Sequence, residues 1–254
     1  MIQKTQPELS DGPAEGASTS VRERILGILG RRILSSHYPP GSMLPTEAQL
    51  CDEFGVSRTA VREAVKMLAA KGLVVSRQRT GTRVQDAASW NRLDADVLDW
   101  MSGIEPDPEF VAGLIEVRQA LEPAAARIAA LRATAHDLAL IEEAYQQMCA
   151  APLEDLAACA EADVHFHVRI LQASHNPVFA GLGNLIGQAL SNSFRLTTSV
   201  SRSYAATLNA HGEVLEAIRL RQPEIASQRM SALIDIASAD LVRHIDDMQR
   251  TKAG

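Results

Sequence analysis

From Val21 onward the apolar residues recur at helical spacing, Val21, Ile25, Ile28, Leu29 and Ile33, as far as the breaker segment His37 to Gly41. This predicts a first helix. A second is announced by Thr46, with Gln49 three residues on completing a capping box and Leu50 and Phe54 as its buried side; it stops at Gly55. Ser57 then caps a third helix, Arg58 to Lys71, with Val61, Val65 and Leu68 as its apolar face and Gly72 as its terminator. After Gly72 the period becomes that of strands: Leu73 to Val75, a polar, glycine-containing turn through Arg79 to Gly81, then Thr82 to Val84. Two short helices joined by a very tight turn and followed by a small hairpin spell a winged helix-turn-helix over residues 21–85. Residues 86–108, with Trp90, Trp100, Pro106 and Pro108, predict a linker carrying a short helix. From Glu109 to the C-terminus the pattern is long amphipathic helix, interrupted at Ala151–Pro152, Asn176–Pro177 and Gln222–Pro223, which predicts a bundle of about six helices over 109–254. The fold class is therefore mostly α. Residues 1–20 mix Gln, Pro, Ser, Gly and Thr with little apolar content, and a disordered tail is expected there.

Composition sharpens this picture in two places. No run of about 18 apolar residues occurs and the N-terminus lacks the layout of a signal peptide, so a cytoplasmic protein with no membrane association is expected. Cys51, Cys149 and Cys159 form neither a metal-type spacing nor an even disulfide set, and are expected as reduced packing residues. Charge is informative once it is split along the chain. Residues 21–85 carry 11 Lys and Arg against 5 Asp and Glu, whereas residues 86–254 carry 13 against 23. A basic head on an acidic body suits a head that meets a polyanion, because neutralising phosphates releases condensed counterions.

On the third helix Arg58, Arg62 and Lys66 lie four residues apart and form one stripe. Such a stripe fits a major groove, with Ser57, Arg58 and Thr59 at the helix start positioned for base edges and an Arg fork suited to guanine O6 and N7. The segment "PGSMLPTEAQLCDEFGVSRTAVREAVKMLAAKGLV", Pro40 to Val74, resembles the signature of the GntR family of regulators. The resemblance implies base and phosphate contacts from Ser57, Arg58, Thr59 and Arg62, with Thr46 at the start of helix two among the DNA contacts and the wing tip near Gly81 reaching the minor groove. Two positions depart from the pattern: Ala48 stands where many relatives carry a DNA-touching Arg, and Arg79 replaces a wing glycine and supplies a candidate phosphate contact.

In the body, "EADVHFHVRILQASHNPVF" sets Asp163 and His167 four apart on one helix, able to address a single ion from one side, and His211 lies on a later helix that a bundle can fold back against the first. One carboxylate and two imidazoles suit Zn, Ni or a similar divalent metal and leave positions open for ligand oxygens. A hydrogen bond without any ion is the alternative. The region from about Asp94 to Arg243, through "EVRQALEPAAARIAA" at Glu116, is similar to the FCD effector domain of the FadR branch of GntR regulators. That domain is a six- or seven-helix bundle, and many members hold a metal with one Asp and three His. Asp163, His167 and His211 match three of these ligands and Leu233 stands at the fourth, which leaves a three-ligand site, a site completed by another residue or water, or a pocket without metal. Arg118 matches a pocket residue able to grip a carboxylate, its alternative being an intrahelical pair with Glu122; Asn192 and Arg195 are further candidate effector contacts on a pocket-lining helix.

"WNRLDADVLDWM" and the Glu116 segment look most like those of galactonate-responsive repressors. The resemblance implies a dimeric regulator, not an enzyme, that binds double-stranded operator DNA through two heads about one DNA turn apart and is released by a small carboxylate or sugar-acid effector. A metal-sensing regulator and a metal-dependent hydrolase are the alternatives; the hydrolase leaves the basic head unexplained and lacks a general base near the ligands.

Overall fold

The computed structural model describes residues 21–77, 80–104, 107–197 and 201–253. The expected disordered tail, residues 1–20, lies outside them. The chain divides into two compact units, Met1–Trp90 and Asn91–Gly254.

In the first unit, α1 (Val21–Leu34), α2 (Glu47–Phe54) and α3 (Arg58–Ala70) precede an antiparallel hairpin of β1 (Val74–Arg77) and β2 (Gly81–Val84). The core joins Ile25, Leu29 and Ile33 of α1 to Leu50 of α2, Val61, Ala64 and Leu68 of α3, and Val74 and Val84 of the hairpin. Val21, which shares the apolar spacing of α1, is exposed at the first turn, where no neighbour among the described residues covers it. The pairing runs Val74 with Val84 to Arg77 with Gly81, so the ladder starts one residue later and extends two further than the apolar run alone predicts.

Local chemistry fixes the turn between α2 and α3. Thr46 Oγ1 accepts from the Gln49 amide and the Gln49 side chain accepts from the Thr46 amide, while Gly55 ends α2 at a left-handed φ of 64°. Thr46→Ala removes one half of this box and is expected to cost about 1 kcal/mol, read as a lowered unfolding midpoint of the first unit. Gly72, at φ 75°, also has no room for a side chain, because a Cβ there would collide with the Ser89 carbonyl oxygen.

The loop after α1 is stitched to the wing. Gly41 N–H donates to Val84 O at 3.0 Å, Leu44 N–H to Thr82 O at 2.9 Å, and Val84 N–H to Ser42 O at 2.9 Å, with Met43 bridging to Arg83. The two-stranded wing thus gains a third edge from a segment some forty residues upstream.

The second unit holds α4 (Ala95–Met101), α5 (Pro108–Arg132), α6 (Ala135–Ala150), α7 (Leu156–Ala173), α8 (Pro177–Thr197), α9 (Ser201–Arg219) and α10 (Pro223–Ala253). Pro177 and Pro223 open their helices, where a missing amide proton costs nothing. Residues 86–108 divide between the units: a 3-10 turn at Ala87–Ser89 ends the first, and α4 buries Val97, Leu98 and Trp100 in the second. Leu98 packs with Leu114 of α5 and Ala189 of α8.

The main core lies among α5, α6, α7, α9 and α10. Ala125, Ala126, Ala129 and Ala130 are buried on α5, and such small side chains let it pack closely along α10. On α7, Cys159, Ala162, Phe166, Ile170 and Ala173 form the core stripe. Asp163 and His167 occupy the adjoining stripe, one residue further around the helix.

Candidate functional sites: a basic head and a buried polar cluster

Ser57, Arg58, Thr59, Arg62 and Lys66 are all exposed on α3 or at its cap. Ser57 Oγ accepts from the Ala60 amide at 3.3 Å, which uses an oxygen lone pair and leaves the hydroxyl proton for a phosphate. Thr46 is more committed, since its hydroxyl lies 2.9 Å from Gln49 Oε1 as a donor. Arg62 Nε is held by both oxygens of Glu47, at 2.8 and 3.1 Å, and Lys66 Nζ by Glu63 at 2.7 Å. Exposed pairs of this kind are screened by water and hold weakly, so a phosphate can replace the carboxylate. Arg58 has no carboxylate partner among the described residues. Gly81 starts β2 with φ 86°, and Arg77 and Arg83 share its face of the hairpin by register. Sequence reasoning missed Arg77 and Arg83, although their alternation with Val75 and Gly81 was available as a signal. Arg79 lies outside the described residues.

In the second unit α7 and α9 bring Asp163, His167 and His211 together, with one donor atom from each inside 4.8 Å of the others. His211 Nε2 lies 3.2 Å from Asp163 Oδ1 and His167 Nε2 3.9 Å from it. Both imidazoles are buried, at 2 % and 4 % exposure. Each is turned by a contact at its other nitrogen. His211 Nδ1 lies 2.8 Å from Thr207 O, which can only accept, so the proton sits on Nδ1. His167 Nδ1 lies 2.6 Å from Glu122 Oε2, a close charge contact without hydrogen-bond alignment.

With both rings neutral, the two Nε2 atoms present lone pairs toward the Asp163 carboxylate, and no protein donor lies between them among the described residues. Three electron-pair donors converging in a buried space are mutually repulsive until a cation joins them. Ligands about 2.1 Å from a tetrahedral zinc stand about 3.4 Å apart, so only a small contraction of the cluster is needed. The donor set fits a divalent cation.

Arg118 and Glu122, one turn apart on α5, are buried beside this cluster at 6 % and 1 % exposure. Arg118 Nε donates to Glu122 Oε1 at 2.6 Å and Nη2 to Oε2 at 3.4 Å. Burial alone would raise the Glu122 carboxyl, but the charge of Arg118, joined by that of His167 when its ring is protonated, and their contacts lower it to about 2. Asp163 is likewise held well below the usual carboxylate range against burial, by its contact with His211 and by the charges of His167 and His211 when their rings are protonated and of Arg118. The Phe166 ring stands edge-on to both imidazoles, with centroids 5.6 Å from His167 and 5.1 Å from His211. Leu233, at the position where a fourth ligand was sought, is buried in the apolar core. The side chains of Asn192 and Arg195 on α8 lie outside the described residues.

Residues 21–84 match the family of bacterial regulatory proteins named gntR, and residues 113–235 match the FCD domain. The chain is 40% identical to the galactonate operon transcriptional repressor of Escherichia coli (strain K12), over 85% of this chain and 94% of that one. It is 36% identical to the uncharacterized HTH-type transcriptional regulator YieP of the same organism, over 81% and 89% respectively. Among solved structures, Lar, described as controlling expression of the Listeria monocytogenes agr system, superposes with a TM-score of 0.65 at 20% identity over 90% of this chain and 99% of that one, a likeness of fold. The chain belongs to the GntR family, with an FCD domain following the winged helix-turn-helix. It is a transcription regulator and not an enzyme; GntR regulators bind operator DNA. No helix among the described residues is long and apolar enough to cross a membrane.

Proposed function

We propose that this regulator represses an operon for the breakdown of a sugar acid resembling galactonate, and is released from its operator when that acid binds the second unit. The observation that carries the reading is the charge balance of the buried cluster. With both imidazoles neutral, the form that ligates a metal, Arg118, Glu122 and Asp163 sum to one net negative charge; a divalent cation turns this positive, and one carboxylate restores neutrality. A buried cluster is stable only when its charges balance, so cation and monocarboxylate complete it together. The 40% identity to a galactonate operon repressor supports the choice of acid.

Asp163, His167 and His211 hold the cation, Zn or Ni by donor chemistry, and leave coordination positions to which an α-hydroxy acid offers a carboxylate and a hydroxyl. Arg118 presents to the acid the edge that Glu122 does not use. Asn192 and Arg195 are proposed as further contacts to its hydroxyls. Two copies pair through their second units, and their heads address the halves of a pseudo-palindromic operator in the cytoplasm. In each head Ser57, Arg58, Thr59 and Arg62 meet the major groove, and Thr46 and Arg79 meet phosphates. Gly81 brings the wing to the minor groove.

The test is binding of the full chain to DNA from upstream of its own gene, with and without a panel of sugar acids, in Zn2+ and in chelator. Release by an aldonate only when cation is present supports the reading. Release by cation alone makes the protein a metal sensor, and tight binding unmoved by any acid sinks the sugar-acid assignment. Arg58→Ala is expected to cost about 1–3 kcal/mol of operator affinity and to relax discrimination at one base position, while leaving effector affinity unchanged. A uniform loss across all sequences would instead make Arg58 a phosphate contact.

A further inference from the structure

The buried carboxylate of Glu122 touches two residues that the proposed function puts to separate uses. Its Oε1 accepts from Arg118 Nε at 2.6 Å, and its Oε2 accepts from Arg118 Nη2 at 3.4 Å and lies 2.6 Å from His167 Nδ1. We propose that Glu122 is a positioning residue shared by two sites, holding Arg118 ready for the effector's carboxylate and holding His167 with Nε2 turned toward Asp163 and His211. The inference rests on the reading of those sites given above.

Three features of the geometry argue for this role over a plain ion pair. Glu122 engages the Nε side of the guanidinium, so among the described residues both Nη1 protons and one Nη2 proton stay free in a planar fork that matches a carboxylate edge. A carboxylate 2.6 Å from Nδ1 favours the proton there, which is the tautomer whose Nε2 carries the lone pair a metal needs, and makes that nitrogen more basic. One oxygen also serves both neighbours, so a shift of Arg118 toward a ligand alters the support of the imidazole. The mechanical link between acid and cation then runs through a single side chain on α5, where a helical turn separates Arg118 from Glu122.

The experiment compares Zn2+ affinity, by competition with a chromophoric chelator, the visible absorption of bound Co2+, and effector affinity in the full chain. Glu122→Gln keeps the shape and removes the charge. It is expected to weaken Zn2+ binding 10- to 100-fold, alter the Co2+ spectrum and weaken the effector. Because this variant strands Arg118 without its counterion, the double variant Arg118→Met/Glu122→Met is measured beside it. Replacing both partners of a buried pair with apolar groups is commonly neutral for stability. A purely structural role predicts that the double variant, folded as well as wild type, binds Zn2+ as wild type does; that result overturns the proposal. Weakened Zn2+ binding in the stable double variant supports it. Failure of the wild-type chain to bind Zn2+ or Co2+ is a different outcome, which sinks the reading of the cluster as a cation site and the proposal with it.

Discussion

Arg118→Met is expected to destabilise the protein by about 3–5 kcal/mol at neutral pH and to abolish the response to effector, because it leaves Glu122 as a buried charge supported by His167 alone. The pH dependence identifies the cause. In the wild type the Glu122 carboxyl is lowered from its ordinary 4.5 to about 2, so its contribution is fully present above about 4.5 and is lost as pH falls toward 2. In the variant burial, which raises the carboxyl, is no longer overcome by Arg118. The stability gap between the two proteins is therefore widest at neutral pH and narrows on acidification. Urea unfolding at several pH values between 3 and 7 measures it, and a gap that stays constant across that range would rule out the lost charge partner as its origin.

Phe166→Ala carries the second large effect. The ring is fully buried, meets Tyr145 with centroids 6.4 Å apart, and stands edge-on to both imidazoles. Truncation removes the burial and leaves a cavity, for an expected loss of about 3–5 kcal/mol in the second unit. It also frees His167 and His211 to rotate, so Zn2+ affinity is expected to fall in the same variant. Denaturant unfolding and metal competition read the two separately. A loss under about 1 kcal/mol would mean that neighbouring side chains collapse into the space, and an unchanged metal affinity would mean that the contacts at Nδ1 suffice to aim the rings.

The head was legible in the sequence because its signals are local. Thr46 with Gln49, Gly55, Ser57 and Gly72 each act within a few residues, and together they set the lengths of α2 and α3 and the turn between them. The stitching of residues 41–44 to the wing was not legible, because it is a backbone contact between segments far apart in the chain and uses no particular side chain. In the second unit, Asp163 and His167 were visible as a pair four residues apart on one helix. That α9 folds back to place His211 against them follows from packing in the core, which spacing does not encode, although the resemblance pointed to it. Glu122 was hardest to see, for Arg and Glu at i and i+4 form the ordinary pattern of a solvated helix face. Only its burial beside His167 distinguishes it, and burial depends on what α7 and α10 lay over that stretch of α5.

The stitched wing has a mechanical meaning. A free two-stranded hairpin is marginal in water and would flex on its own, but here its outer strand is hydrogen-bonded to the loop that leads from α1 into α2. Wing and recognition helix thus share one cooperative unit and must open together, as a single foldon. A signal that reaches this head would turn or release it as a whole, while the spacing between α3 and the wing, and so between the groove contacts proposed for them, stays constant. On the proposed function, the operator is read by a rigid gauge, and an inducer acts by taking the gauge away rather than by bending it.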